Sequence, residues 1–212
     1  MSKLDNEVVN FINNHKNIST IEYNKENFYT KDEPLRYATY VNRYLFSNVS
    51  DVSRIINSVR TTSIGSEFNL AGVYFNDNEV SCVIPERKCL LDEMICIHEL
   101  THLINYLESG NNNCSIYDEV IPFFNEYDYA KKIHPFYGKC YEQFRFNKAV
   151  NAAKNIGSND FDYYKDAIKA IYAYLLLNKK KDDYDIKTLN NINSNGKDLE
   201  TELKKKGYTL HL

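Results

Sequence analysis

Apolar positions change their spacing several times along the chain, and each change marks an element. From Cys89 the chain reads CLLDEMICIHELTHLINYLESG, with Leu90, Leu91, Met94, Ile95, Ile97, Leu100, Leu103, Ile104 and Leu107 apolar. That density exceeds the single stripe of a surface helix. It predicts a helix buried on most sides and stopped near Gly110. Before it stand two β-prone runs, AGVYFN and EVSCVIP, flanking Asp77 and Asn78. They predict a hairpin whose second strand closes at Pro85. After it a polar loop, GNNNCS, leads into YDEVIPFFNEYDYAKKI. This segment predicts a second helix with Asp118 as its cap, Pro122 in its first turn and His134 and Pro135 at its end. Residues 3–16 and 34–62 also read as helices, the latter broken near 48–51, with Pro34 in a first turn and Gly65 closing the region. Further helices are expected over 138–155 and 160–178, then a solvated charged turn at 179–183 and two shorter helices. The pattern predicts a mainly α fold of the α+β kind, with a small β-hairpin or sheet before the buried helix and no internal repeat.

Inside the buried helix lies the sequence His98, Glu99, Leu100, Thr101, His102. On a helix the two histidines stand four residues apart and project from one face, close enough to grip one metal ion. Glu99, beside the first histidine, reaches a water on that metal and takes its proton; this is the H-E-x-x-H arrangement of zinc metalloproteases. Polar side chains in so apolar a helix need partners, because burying them unpaired is costly. A metal and its water supply them. One Zn²⁺ per chain is therefore the expected cofactor.

A catalytic zinc takes three protein ligands and keeps one open position. Glu119 and Glu126 are seven residues apart and share a helix face with Pro122 and Phe123. Glu119 is the favoured third ligand, and Glu126 is either the alternative ligand or a carboxylate that orients a histidine. The developing oxyanion needs a donor besides the metal, and Tyr137, Tyr141 and His134 are the candidates. The hairpin at 71–84 either offers an edge strand with which an extended peptide can pair or simply caps the buried helix.

The whole chain is 212 residues with a formal net charge of -3, 43% hydrophobic and 26% charged. This predicts a real core and gives no reason to expect nucleic acid or an anionic membrane as partner. No run is apolar enough to span a bilayer, and the start MSKLDNEVVNFINN lacks the basic and apolar regions of a signal peptide. Cys82, Cys89, Cys96, Cys114 and Cys140 are odd in number and include no C-x-x-C pair, as expected of free thiols in a reducing compartment. The expected location is cytoplasmic, with release by a route lacking a cleaved signal as the other possibility. The expected partner is a peptide or protein substrate; oligomeric state is not readable.

HELTH followed by EVIPFFNE resembles the gluzincin metallopeptidases, specifically the thimet oligopeptidase and oligoendopeptidase F family. That family carries H-E-x-G-H on one helix and a zinc-binding Glu at the start of an E-x-x-x-x-x-x-E segment on the next. The resemblance implies that His98, His102 and Glu119 hold zinc, that Glu99 is the base and that Glu126 supports the site. KIHPFYGKCYEQF resembles the family's His- and Tyr-rich segment, whose tyrosines bind the substrate carbonyl, and GKDLETELKKKGYTL its C-terminal helix and Gly turn. The likeness covers roughly residues 71 to 212. Thr101 stands where the family usually has Gly, and Asn105 where a further His commonly follows. The resulting expectation is a reduced zincin-like catalytic core over 71–212, with residues 1–70 as a helical segment packed on it. Two other readings use the same residues: a zinc-binding regulatory or interaction module without peptidase activity, and a latent form occluded by its N-terminal segment.

Overall fold

The computed structural model describes residues 33–45, 55, 57–62, 71–76, 79–85, 90–109 and 120–133, together with 135, 138, 141, 144 and 145. Expectations for 3–16, 160–178 and the C-terminal helices lie outside these residues. The described elements run α1 (Glu33–Leu45), β1 (Val59–Thr62), β2 (Gly72–Asn76), β3 (Glu79–Pro85), α2 (Leu90–Ser109) and α3 (Val120–Ile133). They are mostly helical, with one small three-stranded sheet. The first five elements belong to one compact unit; α3 and residues 135–145 belong to another.

In the first unit, α1 opens with Pro34 in its first turn, where the missing N–H costs nothing. Tyr37, Ala38, Val41 and Asn42 form its buried stripe, while Leu35 and Arg36 are exposed. This face packs on α2. The hairpin forms as expected, with β2 antiparallel to β3 from Gly72 opposite Val83 to Asn76 opposite Glu79. The strand ends at Pro85, which has no N–H to extend the ladder.

The helical expectation for 34–62 fails at its end. Val59, Arg60, Thr61 and Thr62 form a strand that pairs in parallel with β3, Val59 opposite Cys82 and Thr61 opposite Ile84. Three of these four residues are β-branched and suit a pleated surface, and the partner that decides the matter lies about twenty residues further along the chain. Ile55, Asn57 and Ser58 just before it are helical. The strand order is β1-β3-β2, so β3 is central. Alternation turns Cys82 and Ile84 inward, both buried, and leaves Ser81 and Val83 half-buried on the other face. β3 and β2 pack on α2, which makes α2 the centre of this unit.

In the second unit α3 ends at Ile133, just before His134 and Pro135 as its sequence predicts. Gly138, Tyr141, Phe144 and Arg145 are helical. A Cβ at Gly138 would lie 2.7 Å from the carbonyl carbon of Ala130 and from the nitrogen of Lys131. The two helical segments therefore touch backbone to backbone there, which only glycine allows. Among the described residues no helix is long and apolar enough to cross a membrane.

Candidate metal centre

α2 is buried almost all round. From residue 90 to residue 104 every side chain is buried except three: His98, Glu99 and His102. Leu90, Met94, Ile97, Leu100 and Leu103 are fully enclosed. Thr101, in the position where the resembled family has glycine, is also fully buried; its hydroxyl donates to the Ile97 carbonyl one turn back at 2.7 Å. That bond gives the buried hydroxyl an acceptor within its own helix. The accessible strip of this helix is thus occupied by the H-E-x-x-H side chains.

The two imidazoles converge. His102 Nε2 lies 3.0 Å from His98 Nε2, and the ring centroids are 4.8 Å apart at an interplanar angle of 66°. As neutral rings they share one proton between them, whichever ring carries Nε2–H donating to the other. The same spacing suits a shared cation. Two nitrogens bound to a tetrahedral zinc at its usual bond length stand about 3.3 Å apart. The pair thus fits two corners of such a site with a shift of a few tenths of an ångström. Among the described residues, no group of three or more His, Cys, Asp or Glu side chains is arranged to hold a metal.

Burial pushes the Cys82 thiol on β3 well above its ordinary value, and the Glu99 carboxylate and then Cys96 raise it further. Cys82 is therefore a neutral thiol at neutral pH rather than a thiolate nucleophile. Cys82 and Cys96 are both buried thiols.

The second unit holds a polar cluster of its own. Glu126 on α3 is fully buried. The Tyr141 hydroxyl donates to its Oε2. Arg145 Nε donates to the Tyr141 oxygen at 2.8 Å, and its Nη2 lies 3.5 Å from both Glu126 oxygens. The guanidinium stands 5.3 Å from the Phe123 ring centroid and 5.6 Å from that of Tyr141, in cation–π range. Tyr127 packs its ring 5.9 Å from Tyr141. Burial pushes the Tyr141 phenol well up; Arg145 opposes this, while Glu126 and Tyr127 add to it. Burial also works against the charge of Arg145, but Tyr141 and Glu126 outweigh it and hold the guanidinium above its ordinary range.

His98, Glu99 and His102 thus stand together in one unit, and Glu126 and Tyr141 stand together in the other. Glu119, His134 and Tyr137 lie outside the described residues. Arg145 was not among the residues singled out from the sequence. Its only signal there is the i, i+4 spacing from Tyr141 in CYEQFR, which does not distinguish a buried ion pair from a surface arginine. Comparison with known proteins finds no matching family model, no matching curated protein and no matching solved structure.

Proposed function

We propose that this protein is a zinc-dependent metallopeptidase of zincin-like architecture, with His98 and His102 as zinc ligands and Glu99 as general base. The observation that carries the reading is the convergence of the two imidazoles at 3.0 Å on the one uncovered strip of an otherwise buried helix. An accessible strip ordinarily carries polar side chains; what supports a metal here is that two ring nitrogens meet on it. Glu119 is the third ligand in this reading, on the sequence pattern and the family resemblance.

Zinc supplies Lewis acidity, easing proton loss from an oxygen donor and drawing electron density from a carbonyl. Glu99 removes the proton from the attacking water and returns it to the leaving amine, so the same carboxylate serves as base and then acid. The neighbouring sheet supports a role for the substrate backbone. β2 is an edge strand among the described residues, and its outer N–H and C=O groups suit pairing with an extended peptide.

The test is cleavage of a mixed peptide library by purified protein, with and without a chelator, alongside metal analysis. The native protein should contain about one equivalent of zinc and cleave peptides until chelated. Glu99→Gln should keep the metal and lose roughly two to four orders of magnitude in turnover. His98→Ala and His102→Ala should lose the metal, and Glu119→Ala should weaken zinc binding more than Glu126→Ala. Retained turnover in Glu99→Gln would remove Glu99 as the base. Zinc retained by a native protein that cleaves nothing would point instead to a zinc-dependent binding module.

A further inference from the structure

Strand β2 carries two large exposed rings. Tyr74 and Phe75 on β2 are 43% and 42% exposed. Strand alternation sends them to opposite faces. The Tyr74 ring folds back over Gly72, 3.6 Å from where a Cβ would stand there. The Phe75 ring turns to α2 and meets Tyr106, centroid to centroid 4.5 Å at a tilt of 56°. Tyr106 is four residues past His102 on the same helix, so the two residues stand about 5–6 Å apart on neighbouring turns. Tyr106 and the adjoining Asn105 and Leu107 are half-buried, and they continue the uncovered strip that begins at His98.

We propose that Phe75 and Tyr106 form a side-chain subsite that holds an apolar, preferentially aromatic, residue of a peptide lying along the outer edge of β2. The inference rests on the peptidase reading and adds to it a specificity that the metal centre alone does not supply. Three observations converge on one occupant. Among the described residues β2 is an edge strand, whose outer main-chain groups suit an extended peptide held in register. Side chains of an added strand alternate in face with those of β2, so every second one falls on the α2 side where Phe75 stands. A tilted ring pair with one ring nearly half exposed offers edge and face surfaces that a third aromatic ring fits. Tyr106 stands one helical turn from His102, on the same uncovered strip as the histidine pair.

The experiment uses full-length protein carrying Glu99→Gln and loaded with zinc, so that peptides bind without being consumed. The probes are short peptides with a tryptophan reporter and either Phe or Ala at one varied position; the chain itself has no Trp, so the reporter signal is clean. At one position the Phe peptide should bind roughly tenfold tighter than the Ala peptide, the worth of an aromatic contact plus its buried area. Phe75→Ala and Tyr106→Ala should erase that preference, and Tyr106→Phe, which keeps the ring, should retain it. Phe75 is exposed enough that its truncation leaves the fold intact, and zinc content measured in each variant checks this. Equal affinities for the two peptides at every position, or a preference that survives both alanine substitutions, overturns the subsite. The hydrolase reading fails separately, by absence of cleavage in the native protein; a preference erased by Phe75→Ala would then still establish the subsite.

Discussion

Tyr141 and the two histidines of α2 present the same physical problem, polar atoms held in an apolar surrounding, and answer it differently. Tyr141 is fully buried, yet its hydroxyl is engaged twice, donating to Glu126 and accepting from Arg145. Replacing it by Phe keeps the ring and removes one donor from a buried carboxylate. This should cost about 1–3 kcal/mol in urea unfolding. The pH dependence follows from the direction of its shift. The folded phenol titrates above the unfolded one, chiefly because it is buried. Its contribution is therefore complete below the unfolded value of about 10 and is lost as pH rises above that. Native protein should lose more stability than Tyr141→Phe across the alkaline range above about pH 10, and parallel curves would count against this account. His98 and His102 were legible from the sequence because four-residue spacing on a helix is a local property. The pairing of Arg145 with Glu126 spans nineteen residues, and no local pattern carries it.

At the scale of elements, the two described helical segments of the second unit meet at several points. Gly138 lies on the backbone of Ala130 and Lys131, Tyr141 bonds to Glu126, and Arg145 lies over Phe123. Rising numbers on one segment meet falling numbers on the other, so the segments run antiparallel. Gly138→Ala would place a methyl group 2.7 Å from backbone atoms that cannot swing aside. Helix propensity alone favours the substitution, but the clash should outweigh it and lower stability by about 1–3 kcal/mol. Thermal unfolding of the variant decides between the two effects, since a net gain would mean the segments separate freely. The hairpin and the buried helix were readable from apolar spacing and turn residues. β1 was not, because VRTT following helical residues has no period of its own and becomes a strand only by pairing with β3.

For the whole molecule, a metal that binds the folded chain and not the unfolded one must raise its stability. With zinc at a hundred times its dissociation constant the gain is about 2.7 kcal/mol, which for a chain of this size is roughly 5–10 °C in Tm. A thermal scan should show that shift between chelator and excess zinc, and His98→Ala should abolish it. An unchanged Tm in the native protein would remove metal binding from the account. The amino-acid sequence by itself determined the apolar helix that carries His98, Glu99 and His102, the hairpin before it and the end of α3, because spacing, turn residues and proline act over a few neighbours. Tertiary structure alone decided which side of that helix stays uncovered, the parallel strand at 59–62 and the buried Glu126–Tyr141–Arg145 cluster. Each of these depends on which distant segment packs where, and burial and strand pairing are properties of that packing rather than of any local run of residues.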